Sequence, residues 1–153
     1  MNSEPIKKVC FIGAGTMGCF NSLMASVAGY ECVIYDPSKE SLASRKKNQK
    51  AMGEFLSNSN FFNEVDLDAS ISKIKNESNL INALEGADLI SESIPENFDL
   101  KIKVLKEVES LVSKNAILTT NTSSLSVTKM SQQLNSSTRF AAMHFHLGSR
   151  LID

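Results

Sequence analysis

The chain has few cysteines, no long apolar run and almost no net charge, and each shortage removes a class of function. Cys10, Cys19 and Cys32 are odd in number and lack paired C-x-x-C spacing, so neither a disulfide framework nor a cysteine-built zinc site is expected. Buried thiols acting as small hydrophobes are the expected alternative. No apolar run approaches the roughly 18 residues that a membrane helix needs. Residues Met1 to Pro5 hold no basic segment leading into an apolar one, so no secretory leader is expected and the cytosol is the expected compartment. A net charge of −1 gives no reason to expect nucleic acid or an anionic membrane as partner. No repeat or low-complexity tract is present, and 153 residues at 42% hydrophobic and 22% charged content suit one soluble globular domain over 1–153.

What the chain does have is concentrated near its start. Residues 7–18 read as an apolar strand running into a G-x-G-x-x-G turn that opens a helix, with glycines at 13, 15 and 18. The first allows a sharp turn, the second lets a pyrophosphate approach the helix N-terminus, and the third lets helix and strand pack closely. The free N–H groups and the positive end of the helix dipole favour phosphate charge there. Phe20, Leu23, Met24 and Val27 recur at helical spacing before a stop at Gly29, and a second strand, Glu31 to Asp36, ends in an acid 18 residues past Gly18. That is the reach of a carboxylate that bonds the adenosine ribose hydroxyls; a helix N-cap is the other reading of Asp36.

The remaining pattern alternates helices and strands. A polar helix over Ser38–Leu56 carries Lys39, Arg45, Lys46, Lys47 and Lys50, a run read as a solvated face rather than an anion site. A loop at 57–60 follows, with Phe61 and Phe62 tucked onto the core. A half-exposed strand is expected at Ile71–Lys75, a short helix at Leu80–Leu84 closed by Gly86, and a strand at Ala87–Ile94. An amphipathic helix at Phe98–Val112, a strand at Ala116–Thr120, a helix at Leu125–Leu134 and a strand at Arg139–Phe145 complete the series. Such alternation implies right-handed crossovers and an α/β, Rossmann-type, doubly wound and mainly parallel sheet with helices on both faces.

Five segments together, Gly13-Ala-Gly-Thr-Met-Gly18, Ala87-Asp-Leu, Ile94-Pro-Glu-Asn97, Asn121-Thr-Ser-Ser-Leu125 and Arg139-Phe-Ala-Ala-Met-His-Phe145, resemble the NAD-binding domain of L-3-hydroxyacyl-CoA dehydrogenases over about residues 7–145. The resemblance implies NAD held by Gly13, Ala14, Gly15, Thr16, Met17 and Gly18, with Asp36 on the ribose and a preference over NADP, whose 2′-phosphate that carboxylate would repel. It implies hydride transfer between C3 of a 3-hydroxyacyl-CoA and NAD. His144 matches the catalytic acid/base and Ser123 a serine bonded to the reacting oxygen. Glu96 and Lys101 match positions beside the nicotinamide half. An imidazole suits the task because its ordinary pKa of about 6.5 lets it give and take a proton near neutrality.

Each of these residues also has a structural reading. His144 could be a solvated strand-end histidine, Ser123 a helix N-cap, Glu96 a first-turn acid complementing a helix dipole, and Lys101 a surface lysine. His146 lies on the same strand face as His144, but two ligands do not make a metal site and no metal is expected. The chain also departs from the family, reading His144-Phe145-His146-Leu147-Gly148 where the family has His-Phe-Phe-Asn-Pro. The family's orienting glutamate is expected three residues beyond Asp153, followed by a helical domain that closes over the acyl chain and forms the homodimer. The chain alone is therefore expected to be inactive, since losing an orienting carboxylate costs about 10⁴ in rate in triad enzymes. Two rival readings stand beside this one: a dehydrogenase of a smaller hydroxy acid, and a stand-alone NAD-binding module without catalysis.

Overall fold

The computed structural model describes residues 5–58 and 65–145. In chain order the elements are β1 (Lys8–Ile12), α1 (Thr16–Val27), β2 (Glu31–Tyr35), α2 (Lys39–Asn58), α3 (Leu67–Lys73) and β3 (Lys75–Glu77). There follow α4 (Leu80–Leu84), β4 (Leu89–Glu92), α5 (Phe98–Leu111), β5 (Ile117–Thr120), α6 (Val127–Ser131), a 3₁₀ turn at Ser137–Arg139, and β6 (Phe140–Ala142). The strands form one sheet in the order β3-β2-β1-β4-β5-β6, and every described pair is parallel. The chain winds outward from β1 in one direction and then restarts at β4 in the other. The β1 and β4 exits therefore diverge to opposite faces and leave a crevice at the C-terminal edge of the sheet.

The alternation of side chains along β1 and β2 sets the two layers. Val9, Phe11, Cys32 and Ile34 face Cys19 of α1 and Leu42 of α2, while Cys10, Ile12 and Val33 face Leu84, Ile102, Leu105, Val108 and Met130 of α4, α5 and α6. Strands covered on both faces must be apolar throughout, which is why β1 and β2 read as continuous hydrophobic runs. All three cysteines are buried and free, and burial pushes the Cys10 and Cys32 thiols up to about 12 and Cys19 to about 11. They pack as hydrophobes, as expected.

Four expectations need correction. Residues 71–73 belong to α3, not to a strand: Ile71 and Ile74 are three apart, a helical spacing, both are buried, and Asp66 caps the helix by accepting from the Ala69 N–H. The strand follows as β3, a short polar edge paired to β2. The expected helix at 125–134 is confined to Val127–Ser131, because Ser126 rather than Ser123 supplies the N-cap, accepting from the Lys129 N–H. The last strand ends at Ala142, so His144 and Phe145 lie on the segment leaving it. Arg45 is not on the solvated face with its lysine neighbours but is 1% exposed. Its guanidinium donates to Asn76 Oδ1, Gln49 Oε1 and the Ile71 and Ile74 carbonyls, fastening α2 to the C-terminal end of α3. Ser57 and Asn58 end α2, while the rest of the expected loop, Phe61, Phe62 and the segment His146-Leu147-Gly148 lie outside the described residues.

Candidate functional site

The glycine turn is built as its spacing predicts. Gly13 has φ +104°, its N–H donates to the Tyr35 carbonyl at 2.8 Å, and a Cβ there would come within 2.9 Å of the Ser93 carbonyl oxygen. A Cβ on Gly18 would meet the Gly13 oxygen at 1.8 Å, so only glycine lets α1 start this close to β1. Gly15 differs, because its Cβ would project into open space. It is the N-cap of α1 and brings no side-chain acceptor, whereas Asp66, Asn79, Asn97 and Ser126 each accept a first-turn N–H of α3, α4, α5 and α6. The first N–H groups of α1 are thus left to an external acceptor.

Asp36, at the end of β2, spans two loops. Its Oδ2 accepts from the Ala14 N–H and its Oδ1 from the Ser38 N–H, both at 2.8 Å. Ser38 is the capping residue of α2, accepting from the Ser41 N–H, so the N-cap reading of Asp36 is set aside. The carboxylate sits beside the glycine turn, where an adenosine ribose would be reached.

On the other side of the crevice stand charged residues of a different kind. Glu92, the last residue of β4, and Lys101, in the first turns of α5, are both fully buried and paired at 2.6 Å. Lys101 Nζ also donates to the Ile94 carbonyl at 3.1 Å and the Asn121 carbonyl at 3.0 Å. Glu92 accepts from the Ile94 N–H at 2.7 Å and the Thr120 hydroxyl at 2.5 Å. This corrects the surface reading of Lys101, which is a buried tie between the ends of β4 and β5.

Glu96, from the loop after β4, places its carboxylate against the turn that follows β5. One of its oxygens accepts from the Thr122 hydroxyl at 2.5 Å, the Ser123 and Ser124 N–H groups at 3.0 and 3.1 Å, and the Ser124 hydroxyl at 3.1 Å. The other lies 3.7 Å from Lys101 Nζ. Burial alone would raise this carboxyl, but the hydroxyl and N–H donors outweigh it and hold Glu96 at about 2. Its role is to hold this turn; the helix that follows it is capped by Asn97, which accepts from the Leu100 N–H.

Between the two sides lies a cavity of about 230 Å³ whose walls include Met17, Ser93, Glu96, Asn121, Ser123 and His144. Four of the residues expected from sequence (Met17, Glu96, Ser123 and His144) are therefore brought to one cavity, Met17 from the first turn of α1 and the others from three separate loops. The path that puts His144 there is short. The Met143 N–H extends the ladder to the Thr120 carbonyl at 3.0 Å, and the Asn121 side chain accepts the Phe145 N–H at 3.2 Å. Gly13, Gly18, Asp36 and Lys101 are not among the residues that line this cavity.

Sequence reasoning missed Glu92, Ser93 and the side chain of Asn121. An acid inside the strand from Leu89 to Ile94, followed nine residues later by a lysine on the next helix, was the available signal for the buried pair. Ser93 Oγ is buried with no hydrogen-bond partner among the described residues. That orphaned hydroxyl beside the cavity, together with the open space in front of Gly15 at the start of α1, suits a bound dinucleotide. Among the described residues no three His, Cys, Asp or Glu side chains gather as metal ligands would, and no helix is long and apolar enough to cross a membrane.

Comparisons with known proteins agree with this geometry. Residues 8–152 match the family described as 3-hydroxyacyl-CoA dehydrogenase, NAD binding domain. A Caenorhabditis elegans protein named "probable 3-hydroxyacyl-CoA dehydrogenase" is 31% identical over 151 residues, covering 93% of this chain and 49% of its own. The mitochondrial hydroxyacyl-coenzyme A dehydrogenase of Sus scrofa is 28% identical over 146 residues, covering 92% of this chain and 46% of its own. The crystal structure of (S)-3-hydroxybutyryl-CoA dehydrogenase from Ralstonia eutropha superposes with a TM-score of 0.84 at 31% identity, covering 93% of this chain and 50% of that one. The chain thus spans about half the length of these relatives. With its glycine turn and doubly wound sheet in place, the chain belongs to the 3-hydroxyacyl-CoA dehydrogenase family and is an NAD-binding domain of that family.

Proposed function

We propose that, in the whole protein, this chain holds NAD across the crevice while His144 and Ser123 handle the oxygen of a 3-hydroxyacyl thioester. The observation that carries the reading is the meeting of Ser123, from the end of β5, and His144, from beyond β6, in one cavity that begins at Met17 of the dinucleotide helix. Gly13 to Gly18 would hold the pyrophosphate through the first N–H groups of α1, and Asp36 the adenosine ribose. NAD, when bound, supplies a hydride acceptor at its nicotinamide ring. In the oxidation direction the His144 imidazole takes the hydroxyl proton as C3 loses hydride, and the Ser123 hydroxyl donates a hydrogen bond to the same oxygen. Glu96 keeps Ser123 in place by binding its N–H, and Lys101 with Glu92 keeps Asn121, and through it the backbone beside His144, in register.

Closure over the acyl chain and formation of a homodimer would come from sequence outside this chain, as would an acid to orient His144. A cytosolic location belongs to the same proposal, although the Sus scrofa relative is named as mitochondrial.

The test is oxidation of NADH by the whole protein with acetoacetyl-CoA, with small keto acids in parallel. Turnover of acetoacetyl-CoA that falls at least 10²-fold in His144→Gln supports the reading. Turnover of the keto acids alone would move the substrate to a small hydroxy acid. NADH binding without turnover of either would make the protein a binding module. Preference for NADH over NADPH in a fluorescence titration checks the role of Asp36; equal affinities would refute it.

A further inference from the structure

Among the described residues, the buried side-chain atoms left without a hydrogen-bond partner are the amide of Asn21 and the hydroxyl of Ser93. Most buried polar groups in proteins are satisfied, so each exception calls for a cause. Asn21 sits mid-way along α1. Ser93 sits where the chain leaves β4, at the point where the sheet reverses its winding, and it lines the cavity that also holds His144 and Ser123.

The surroundings of Ser93 show why the fold leaves it unpaired. Its N–H donates to the Ile12 carbonyl at 2.9 Å, and its own carbonyl would be 2.9 Å from a Cβ on Gly13. The backbone of residue 93 is therefore pressed against the glycine turn and cannot shift. No side-chain hydrogen bond joins the glycine turn to residues 93–97 among the described residues. Ser93 lines the cavity at the β1–β4 junction, where among the described residues no side-chain hydrogen bond joins the two departing loops.

Resting on the NAD reading above, we infer that Ser93 is a cofactor-contacting residue whose hydroxyl bonds the nicotinamide half of the dinucleotide, the ribose hydroxyls being the matching chemistry. The placement selects that half. His144 and Ser123, which act on the substrate oxygen beside the nicotinamide, share the cavity with Ser93, whereas Asp36, on the adenosine side, lies beyond the glycine turn. No protein partner among the described residues holds the hydroxyl back from a ligand in that cavity. An unsatisfied group in the free domain thus becomes satisfied in the complex, and its cost to stability is returned as affinity.

Ser93→Ala separates this role from a structural one because the two effects have opposite signs. Removing an unpartnered buried hydroxyl leaves the melting temperature of the free chain unchanged or higher. Affinity for NADH and for ADP-ribose falls about three- to tenfold, the worth of one hydrogen bond, while affinity for ADP, which lacks the second ribose, is unchanged. Ser93→Thr, which keeps the hydroxyl, restores part of the NADH affinity. NADH affinity equal to wild type in Ser93→Ala, or an equal loss for ADP, would overturn the inference. A wild-type chain that bound none of the three ligands would instead overturn the NAD reading on which it rests.

Discussion

Replacing Lys101 by methionine removes the cation that Glu92 is paired with and leaves the carboxylate buried beside the Ile94 N–H and the Thr120 hydroxyl alone. Both members of the pair are 0% exposed, so water cannot replace the lost partner. Breaking such a pair by removing one member costs about 3–5 kcal/mol, most of it the penalty of an uncompensated buried charge. The Ile94 and Asn121 carbonyls lose their donor as well, which places Lys101→Met toward the upper end. Against a total stability of about 5–15 kcal/mol this is a large fraction, and for a domain of this length it corresponds to a fall in Tm of roughly 6–20 °C. Glu92→Gln combined with Lys101→Met removes both charges while keeping an acceptor for Thr120, and should recover a substantial part of the loss. Urea unfolding at neutral pH, followed by far-ultraviolet circular dichroism, reads both effects. A Lys101→Met chain within about 1 kcal/mol of wild type, or a double variant no more stable than the single one, would refute the argument that a compensated ion pair fastens β4 to β5.

Gly15→Ala should fold with near-wild-type stability yet bind NADH at least tenfold more weakly, because its Cβ meets no protein atom and points to where the pyrophosphate would lie; Gly18→Ala should instead be severely destabilised by its 1.8 Å approach to the Gly13 oxygen. Thermal melts and NADH titrations of the two variants separate folding from binding. The Glu96 carboxyl is held at about 2 against an ordinary 4.5, so its contribution to stability is complete above pH 4.5 and is lost as pH falls toward 2. Glu96→Gln should therefore lose less stability than wild type over that interval in urea melts. Part of the acid sensitivity should remain, since hydrogen bonds from the Lys8 and Lys7 N–H groups lower Asp88 in the same sense. Asn21→Leu, which replaces an unsatisfied buried amide by an apolar side chain of similar size, should raise stability by about 1–3 kcal/mol and leave NADH affinity unchanged, as read by melts and titration.

The dinucleotide half of the fold was legible because its constraints are local. A turn with φ +104° at Gly13, a helix packed onto that turn at Gly18 and an acid at the end of β2 each leave a residue-type signature at fixed spacing. The doubly wound parallel sheet was legible as well, since alternation of apolar strands and helices admits few topologies. What stayed hidden depends on partners far apart in sequence. Arg45 looks like its lysine neighbours until Asn76 and the Ile71 and Ile74 carbonyls, all beyond the next helix boundary, are brought to it. Lys101 looks like a surface lysine until Glu92 and the Asn121 carbonyl meet it. The strand misplaced at 71–75 failed on periodicity, because two isoleucines three apart fit a helix turn better than an alternating strand.

The C-terminal edge of the sheet shows how these hidden partners serve the site. The end of each strand in a parallel sheet releases a loop with free N–H and carbonyl groups, and here side chains of neighbouring loops take them up. Asp36 after β2 holds the Ala14 N–H after β1, Glu96 after β4 holds the Ser123 and Ser124 N–H groups after β5, and Asn121 after β5 holds the Phe145 N–H after β6. Lys101 binds the carbonyls on either side of the β4–β5 junction. The β1–β4 junction is different: there the loops depart to opposite faces, and the ladder ends with the Ser93 N–H on the Ile12 carbonyl. A crevice is topologically required at that junction, but its rigidity is not; it follows from the carboxylates and amides that fasten the loops on both sides. The carboxylates, amides and the lysine that are buried or hydrogen-bonded between these loops therefore fix the walls of the cavity to which Ser123 and His144 are brought.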